Sequence, residues 1–225
     1  MERTYEVNDL DKSILPEFIF KTVFSGNSGV GKTSILNYEL QIKYNQDNNQ
    51  ETIVEHYYKN YEICNKIIRI QIWDTCGKET YEEIVKTFYR SALCIFVVFS
   101  LDDESSFLNL NHWIVDFHNT NESPIVILIG NKRDNVSGRK VSKERINKFC
   151  KDNDIDSYYE TSAKTGESIH EIFKEVIRKL YIKFIDTNAS NGQSIKSFDS
   201  TEQSSEKTPC GFNGDSCKVC DCSIY

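Results

Sequence analysis

Gly26-Asn27-Ser28-Gly29-Val30-Gly31-Lys32-Thr33 has the spacing G-x-x-x-x-G-K-[ST]. Glycines at these positions let backbone N–H groups turn inward around phosphate oxygens. Lys32 adds a positive charge for β- and γ-phosphates, and the Thr33 hydroxyl is a hard oxygen ligand suited to Mg²⁺. Ser34 carries the motif into a helix whose N-terminus supplies further positive potential. A glycine-rich turn with a chance lysine is the bland alternative. The strand-like segment before the motif and the helix-like segment after it weigh against that alternative. The motif specifies phosphate binding and leaves the base and the reaction open.

Two further segments bear on the base. Asn131-Lys132-Arg133-Asp134 follows an apolar run that ends at Gly130. A carboxylate at a strand end lies at the sheet edge where open α/β folds bind ligands. Asp134 can accept two hydrogen bonds from guanine N1–H and N2–H₂, a donor pair that adenine lacks, so ATP would leave the carboxylate unpaired. Thr161-Ser162-Ala163-Lys164 follows a short strand at Ser157–Glu160, and the backbone N–H of Ala163 is placed to meet guanine O6. A third segment, Trp73-Asp74-Thr75-Cys76-Gly77, closes a strand. Asp74 can hold a Mg²⁺ shell through water, and the Gly77 N–H can approach a γ-phosphate because no Cβ intervenes. A loop pinned by such contacts is released on hydrolysis.

These residues need a scaffold that brings loops to one edge. FIFKTVFS (Phe18–Ser25) is rich in aromatics and β-branched residues and reads as a buried strand, while LCIFVVFS (Leu93–Ser100) and PIVILIG (Pro124–Gly130) are continuous apolar runs of the kind buried on both faces of a parallel sheet. YYKNYEICNKIIRIQIW reads as two strands around a turn at Cys64–Lys66. Helices are expected after Lys32, over Glu104–His118, over Ser142–Lys151 and over Glu167–Ile185. In the last, Ile169, Ile172, Phe173, Val176, Ile177 and Leu180 form one stripe. Strands alternating with helices predict an α/β domain with a mostly parallel sheet. Residues 1–16 read as an N-terminal arm, 17–186 as the domain, and 187–225 as a Ser-, Asn- and Gly-rich tail too poor in large aliphatics to order itself. The chain of 225 residues has 39% hydrophobic residues and a net charge of -7. That acidity argues against nucleic acid as a partner. No apolar run approaches the ~18 residues of a membrane helix. The polar start does not resemble a signal peptide.

Together GNSGVGKTS, WDTCG, NKRD and TSAK, in this order, resemble the Ras-superfamily small GTPases. RIQIW before the Asp and TFYRSA (Thr87–Ala92) resemble the Rab branch. The resemblance covers roughly residues 17 to 185 and the cysteine-ended tail. It implies a P-loop small G-domain with a six-stranded, mostly parallel sheet carrying one antiparallel edge strand. It also implies GTP/GDP and Mg²⁺ as ligands and GTP hydrolysis as the reaction. By the same resemblance, Thr52 ligates Mg²⁺ and senses the γ-phosphate, and Tyr44 covers the guanine. Asn131, Lys132, Ser162 and Lys164 join Asp134 and Ala163 around the base. Tyr57, Trp73 and Phe88 match an aromatic surface triad read by effectors, although each also suits ordinary packing. The expected role is a switch in vesicle trafficking on the cytoplasmic face of endomembranes, with a cytosolic pool. Its partners would be an exchange factor, an activating protein and effectors.

Two departures stand out. Lys78 occupies the place of the family's Gln, which orients the attacking water. An amide donates and accepts, whereas an ammonium only donates. Hydrolysis slower than the family's is therefore expected, unless a partner supplies the missing group in trans. A GTP-locked scaffold with negligible turnover is the second reading. The segment ETIVEHYY also places Val54 and His56 where Rab proteins usually carry Gly and an acid, and the stretch from Lys32 to Thr52 looks one residue longer than usual. A P-loop kinase or ATPase is disfavoured by Asp134.

Of eight cysteines, Cys64, Cys76, Cys94 and Cys150 are scattered through the body, and Cys210, Cys217, Cys220 and Cys222 crowd the end. Cys222 is fourth from the last residue, as in a C-a-a-X box, although Tyr is an unusual final residue. Cys220 and Cys222 form a C-x-C pair of the kind Rab tails present to prenyl transferase machinery. One lipid anchors only marginally, so two are the more coherent reading. The tail's Lys196, Lys207 and Lys218 are outnumbered by Asp199, Glu202, Glu206, Asp215 and Asp221, which leaves no polybasic second signal. A four-cysteine zinc knot is the rival, with poor spacing for it.

Overall fold

The computed structural model describes residues 5–11, 13–42, 54–77, 81–121 and 124–190. Among the described residues, seven strands form one sheet in the order β1-β3-β4-β2-β5-β6-β7. They are β1 (Val7–Leu10), β2 (Phe18–Ser25), β3 (Val54–Ile63), β4 (Lys66–Thr75), β5 (Cys94–Ser100), β6 (Ile125–Asn131) and β7 (Ser157–Glu160). Strands β4, β2, β5, β6 and β7 run parallel, while β3 pairs antiparallel with both β4 and β1. The α/β class with a mainly parallel sheet is as expected. The sheet has one strand more than the six anticipated. The extra strand, VNDL, comes from the segment read as an arm. It is too short and too polar to show a period, and only pairing with β3 makes it a strand.

The helices are α1 (Lys32–Glu39), α2 (Glu82–Tyr89), α3 (Glu104–Leu108), α4 (Leu110–His118), α5 (Lys143–Asp152) and α6 (Ile169–Ser190). The run Glu104–His118, expected as one helix, is two, divided at Asn109. Asp103 caps α3 by accepting from the Ser105 N–H at 3.0 Å. Ser142 caps α5 through the Arg145 N–H at 3.4 Å. Helix α6 runs four residues beyond 186. All six residues of its expected stripe are at most 2% exposed.

Side chains alternate across the strands, so the sheet separates two cores. On one face Phe24, Phe96 and Val98 pack with Ile35 and Leu36 of α1 and with Phe173 and Val176 of α6. On the other, Ile95, Val97 and Phe99 pack with Phe107, Trp113, Phe117 and Ile146 from α3, α4 and α5. β5 and β6 are buried along their whole length, which is why they read as continuous apolar runs. The β3–β4 turn is Cys64-Asn65, with φ of 51° and 57°. Left-handed backbone at both positions matches the twist of a two-residue hairpin.

Candidate functional site

β2 ends at Ser25, and the chain turns at once through Gly26–Gly31 into α1. A side chain at Gly26 would place a Cβ 2.1 Å from the Val98 carbonyl oxygen, and φ is +132°. Only glycine lets the loop lie this close to β5. Lys32, 6% exposed, folds back over the loop and donates to the carbonyls of Gly26 at 2.7 Å and Asn27 at 2.9 Å. Burial lowers its pKa to about 8, and the Asp74 charge partly opposes that shift. The ammonium is thus a buried cation at the mouth of a phosphate loop. The Asn27 side chain is fixed as well, because its Oδ1 accepts from Trp113 Nε1 at 3.1 Å. Nothing in the sequence linked these two residues, which lie far apart in the chain.

The parallel β2–β4 pairing sets Phe24 beside Asp74 and brings the end of β4 to the same edge. The Thr33 hydroxyl donates to Asp74 Oδ2 at 2.5 Å. Asp74 Oδ1 is buried with no hydrogen-bond partner among the described residues. Burial raises the Asp74 pKa to about 6, with the Thr33 hydrogen bond and the Lys32 charge acting against the rise. Two adjacent hard oxygens, one of them unsatisfied, suit a small divalent cation such as Mg²⁺. Thr33 and Asp74 are the described residues that would hold it. Gly77 lies against the phosphate loop: its carbonyl accepts from the Ser28 N–H at 3.0 Å, and a Cβ there would sit 2.3 Å from the Gly26 carbonyl oxygen.

The base side is built from the loops after β6 and β7. Asn131, 1% exposed, is a hub. Its amide donates to the Val30 carbonyl at 2.9 Å, and its Oδ1 accepts from the Thr161 hydroxyl and the Ala163 N–H, both at 3.1 Å. This side chain thereby joins the phosphate loop to the base loops. The Ala163 N–H, expected to meet guanine O6, donates to Asn131 in this structure. The Ser162 hydroxyl donates to Asp134 Oδ1 at 2.6 Å, which holds that carboxylate on the wall of a cavity of about 840 Å³. Gly29, Gly31, Ser34, Lys132, Ala163 and Lys164 line the same cavity. Its wall is completed by Asn37, Tyr38 and Ile42 from α1 and the residues after it, and by Asp102 and Asn135. These five carried no motif, since each reaches the cavity only through the fold.

The aromatic triad is divided. In the β3–β4 register His56 lies opposite Trp73, and Tyr57 lies opposite Ile72. Tyr57 therefore packs toward α1 and α6 while Trp73 packs on the other face. One step of register moves a side chain to the opposite face. The His56 and Trp73 rings are 4.6 Å apart, and those of Trp73 and Phe88 are 4.8 Å apart. His56 thus takes the place expected of Tyr57. Tyr44, Thr52, Lys78, Cys220 and Cys222 lie outside the described residues.

A buried lysine in a glycine loop, a paired threonine and aspartate, and an aspartate held over a roomy cavity define a P-loop nucleotide-binding domain of α/β architecture. Comparison with known proteins narrows the class. The Ras family model matches residues 21–197. The chain is 36% identical over 166 residues to the GTP-binding protein ypt3 of Schizosaccharomyces pombe, covering 73% of this chain and 77% of that one. It is 36% identical over 168 residues to human Ras-related protein Rab-9A, covering 72% and 83%. With zebrafish Ras-related protein Rab-4A it is 31% identical over 168 residues, covering 74% and 78%. The protein belongs to the Ras family of small GTPases and is Rab-like within it.

Proposed function

We propose that this protein is a GTP/GDP switch in vesicle trafficking whose own hydrolysis is slow. The observation that supports slow turnover is Lys78, which follows Gly77 in the sequence, where the family uses Gln. An ammonium has no lone pair to accept a hydrogen bond from the attacking water. Ras without an activator already turns over only on the order of 10⁻⁴ s⁻¹. In single-turnover assays the Lys78→Gln variant should hydrolyse GTP faster than the wild type. A wild type no slower than the variant would remove the proposal.

In this reading Mg²⁺ is held by Thr33, Thr52 and the Asp74 shell, and supplies charge neutralisation at the phosphates. Lys32 and the loop amides bind the β- and γ-phosphates. Asp134 selects guanine, with Tyr44 over the base. Exchange factor, activating protein and effectors meet the surface beside His56, Trp73 and Phe88. Lipids on Cys220 and Cys222 hold the protein to the cytoplasmic face of endomembranes. The GTP-locked scaffold is the second reading, favoured by the same Lys78. Freshly purified protein carrying almost only GTP would support it over a cycling switch.

A further inference from the structure

The nucleotide cavity has a second acid on its wall that no motif accounts for. Asp102 follows β5, and Lys132 follows β6. The two strand ends are tied by the Leu101 N–H donating to the Asn131 carbonyl at 2.9 Å. The Lys132 backbone is fixed in the left-handed region at φ 64°, and its carbonyl accepts from the Asn135 N–H at 3.0 Å. What remains free is its long side chain, 39% exposed at the cavity wall. Asp102 Oδ1 lies 3.5 Å from Lys132 Nζ. The Asp102 carboxylate is itself oriented by the Ser100 hydroxyl and by Asn135 Nδ2, which donates to Oδ2 at 3.1 Å. Ser100 is buried at 1% exposure, so the acid rests on a rigid strand end. Partial burial raises the Asp102 pKa, but these hydrogen bonds and the Lys132 charge outweigh it and leave the acid below its ordinary value.

We propose that Asp102 is a positioning residue for the bound nucleotide and acts through Lys132. A lysine side chain loses much rotamer freedom when it is ordered against a ligand. An acid that already holds the ammonium along the cavity wall removes that cost from the binding step, which is preorganisation. It also neutralises the ammonium locally, so Lys132 serves the base side of the cavity as an oriented wall while Lys32 serves the phosphates. The consequence is a longer residence time for the nucleotide. This inference rests on the cavity being the guanine-nucleotide site.

The test is the release of fluorescent N-methylanthraniloyl-GDP from the full chain in Mg²⁺, chased with excess GDP. The wild type is compared with Asp102→Asn, Lys132→Ala and the double variant. Asp102→Asn should speed release about threefold or more, and should add nothing in the Lys132→Ala background. An off-rate for Asp102→Asn equal to that of the wild type overturns the proposal. So do effects that multiply in the double variant, because a merely structural Asp102 would act independently of Lys132. The cycle therefore reads correctly even if Asp102→Asn lowers stability. Failure of the wild type to bind the labelled GDP would instead remove the assignment of the cavity.

Discussion

Asp134 illustrates how much a single side chain decides. Its Oδ1 is held by the Ser162 hydroxyl, and its carboxylate lines the cavity. Asp134→Asn replaces one acceptor by a donor, so the N2 amine of guanine would face an NH₂ group. The expected result is roughly 100-fold weaker GDP binding, the scale of losing a charge-assisted hydrogen bond and leaving polar groups unpaired. Xanthine carries an oxygen where guanine carries that amine, so xanthosine diphosphate should bind the variant better than GDP does. Titration calorimetry with both nucleotides measures this, and an unchanged preference for GDP would show that the base lies elsewhere. Asn131, in the same motif, works differently. It touches Val30, Thr161 and Ala163, and its role is to hold three loops in register.

Among the elements, β1 is tied down by side-chain charges as well as by its pairing with β3. Asp9 on β1, Glu39 on α1 and His170 on α6 place ligand atoms within 4.8 Å of one another. Lys59 on β3 supplies the cation among them, at 2.8 Å from Asp9 and 2.6 Å from Glu39. Glu39 is 1% exposed at its side chain and also accepts from the Tyr61 hydroxyl at 2.9 Å. Lys59→Met would leave that carboxylate buried without its cation, a loss on the order of 3–5 kcal/mol. Adding Glu39→Gln should recover part of it, as chemical denaturation of the two variants would show. A second junction ties the loop after β6 to the end of β7. Arg139 donates to both oxygens of Glu160, at 2.9 and 2.7 Å. The Arg139 hydrogen bond holds the Glu160 pKa below its ordinary 4.5, and partial burial opposes the shift. A depressed acid stabilises the fold above its unfolded value, and that stability is lost as pH falls through the folded value. The wild type should therefore lose more stability than Glu160→Gln on acidification below about pH 4.5. Parallel acid denaturation curves for the two proteins would contradict the assignment.

At the scale of the whole molecule, the legible features were those that the chain must spell locally. A strand buried on both faces has to be continuously apolar, so β5 and β6 could be read directly. A phosphate loop needs its glycines and lysine in sequence, so that motif could be read too. Contacts made only by the fold could not. Trp113 reaches Asn27 because α4 packs beside the phosphate loop, and VNDL becomes a strand only because β3 offers it an edge. Tyr57 was misplaced because one step of hairpin register, invisible in a motif, decides which face a side chain takes. The two cores give a last prediction. Their buried residues run from Val7 to Tyr181, with Phe184 and Ile185 packed at the margin. The residues after Ser190 are too poor in large aliphatics by composition to add a packed core, so a chain ending at Ser190 should keep its melting temperature within about 2 °C and its GDP affinity within about twofold. On the proposed lipid anchor it should lose membrane attachment, and so should the full chain with Cys220→Ser and Cys222→Ser. The tail's acids outnumber its lysines, so no electrostatic attraction would replace the lipid. Fractionating cells that express the three proteins tests this. A double serine variant that still pellets with membranes as the wild type does would rule out the two cysteines as the anchor, and stoichiometric zinc lost on the same substitutions would point to the metal knot instead.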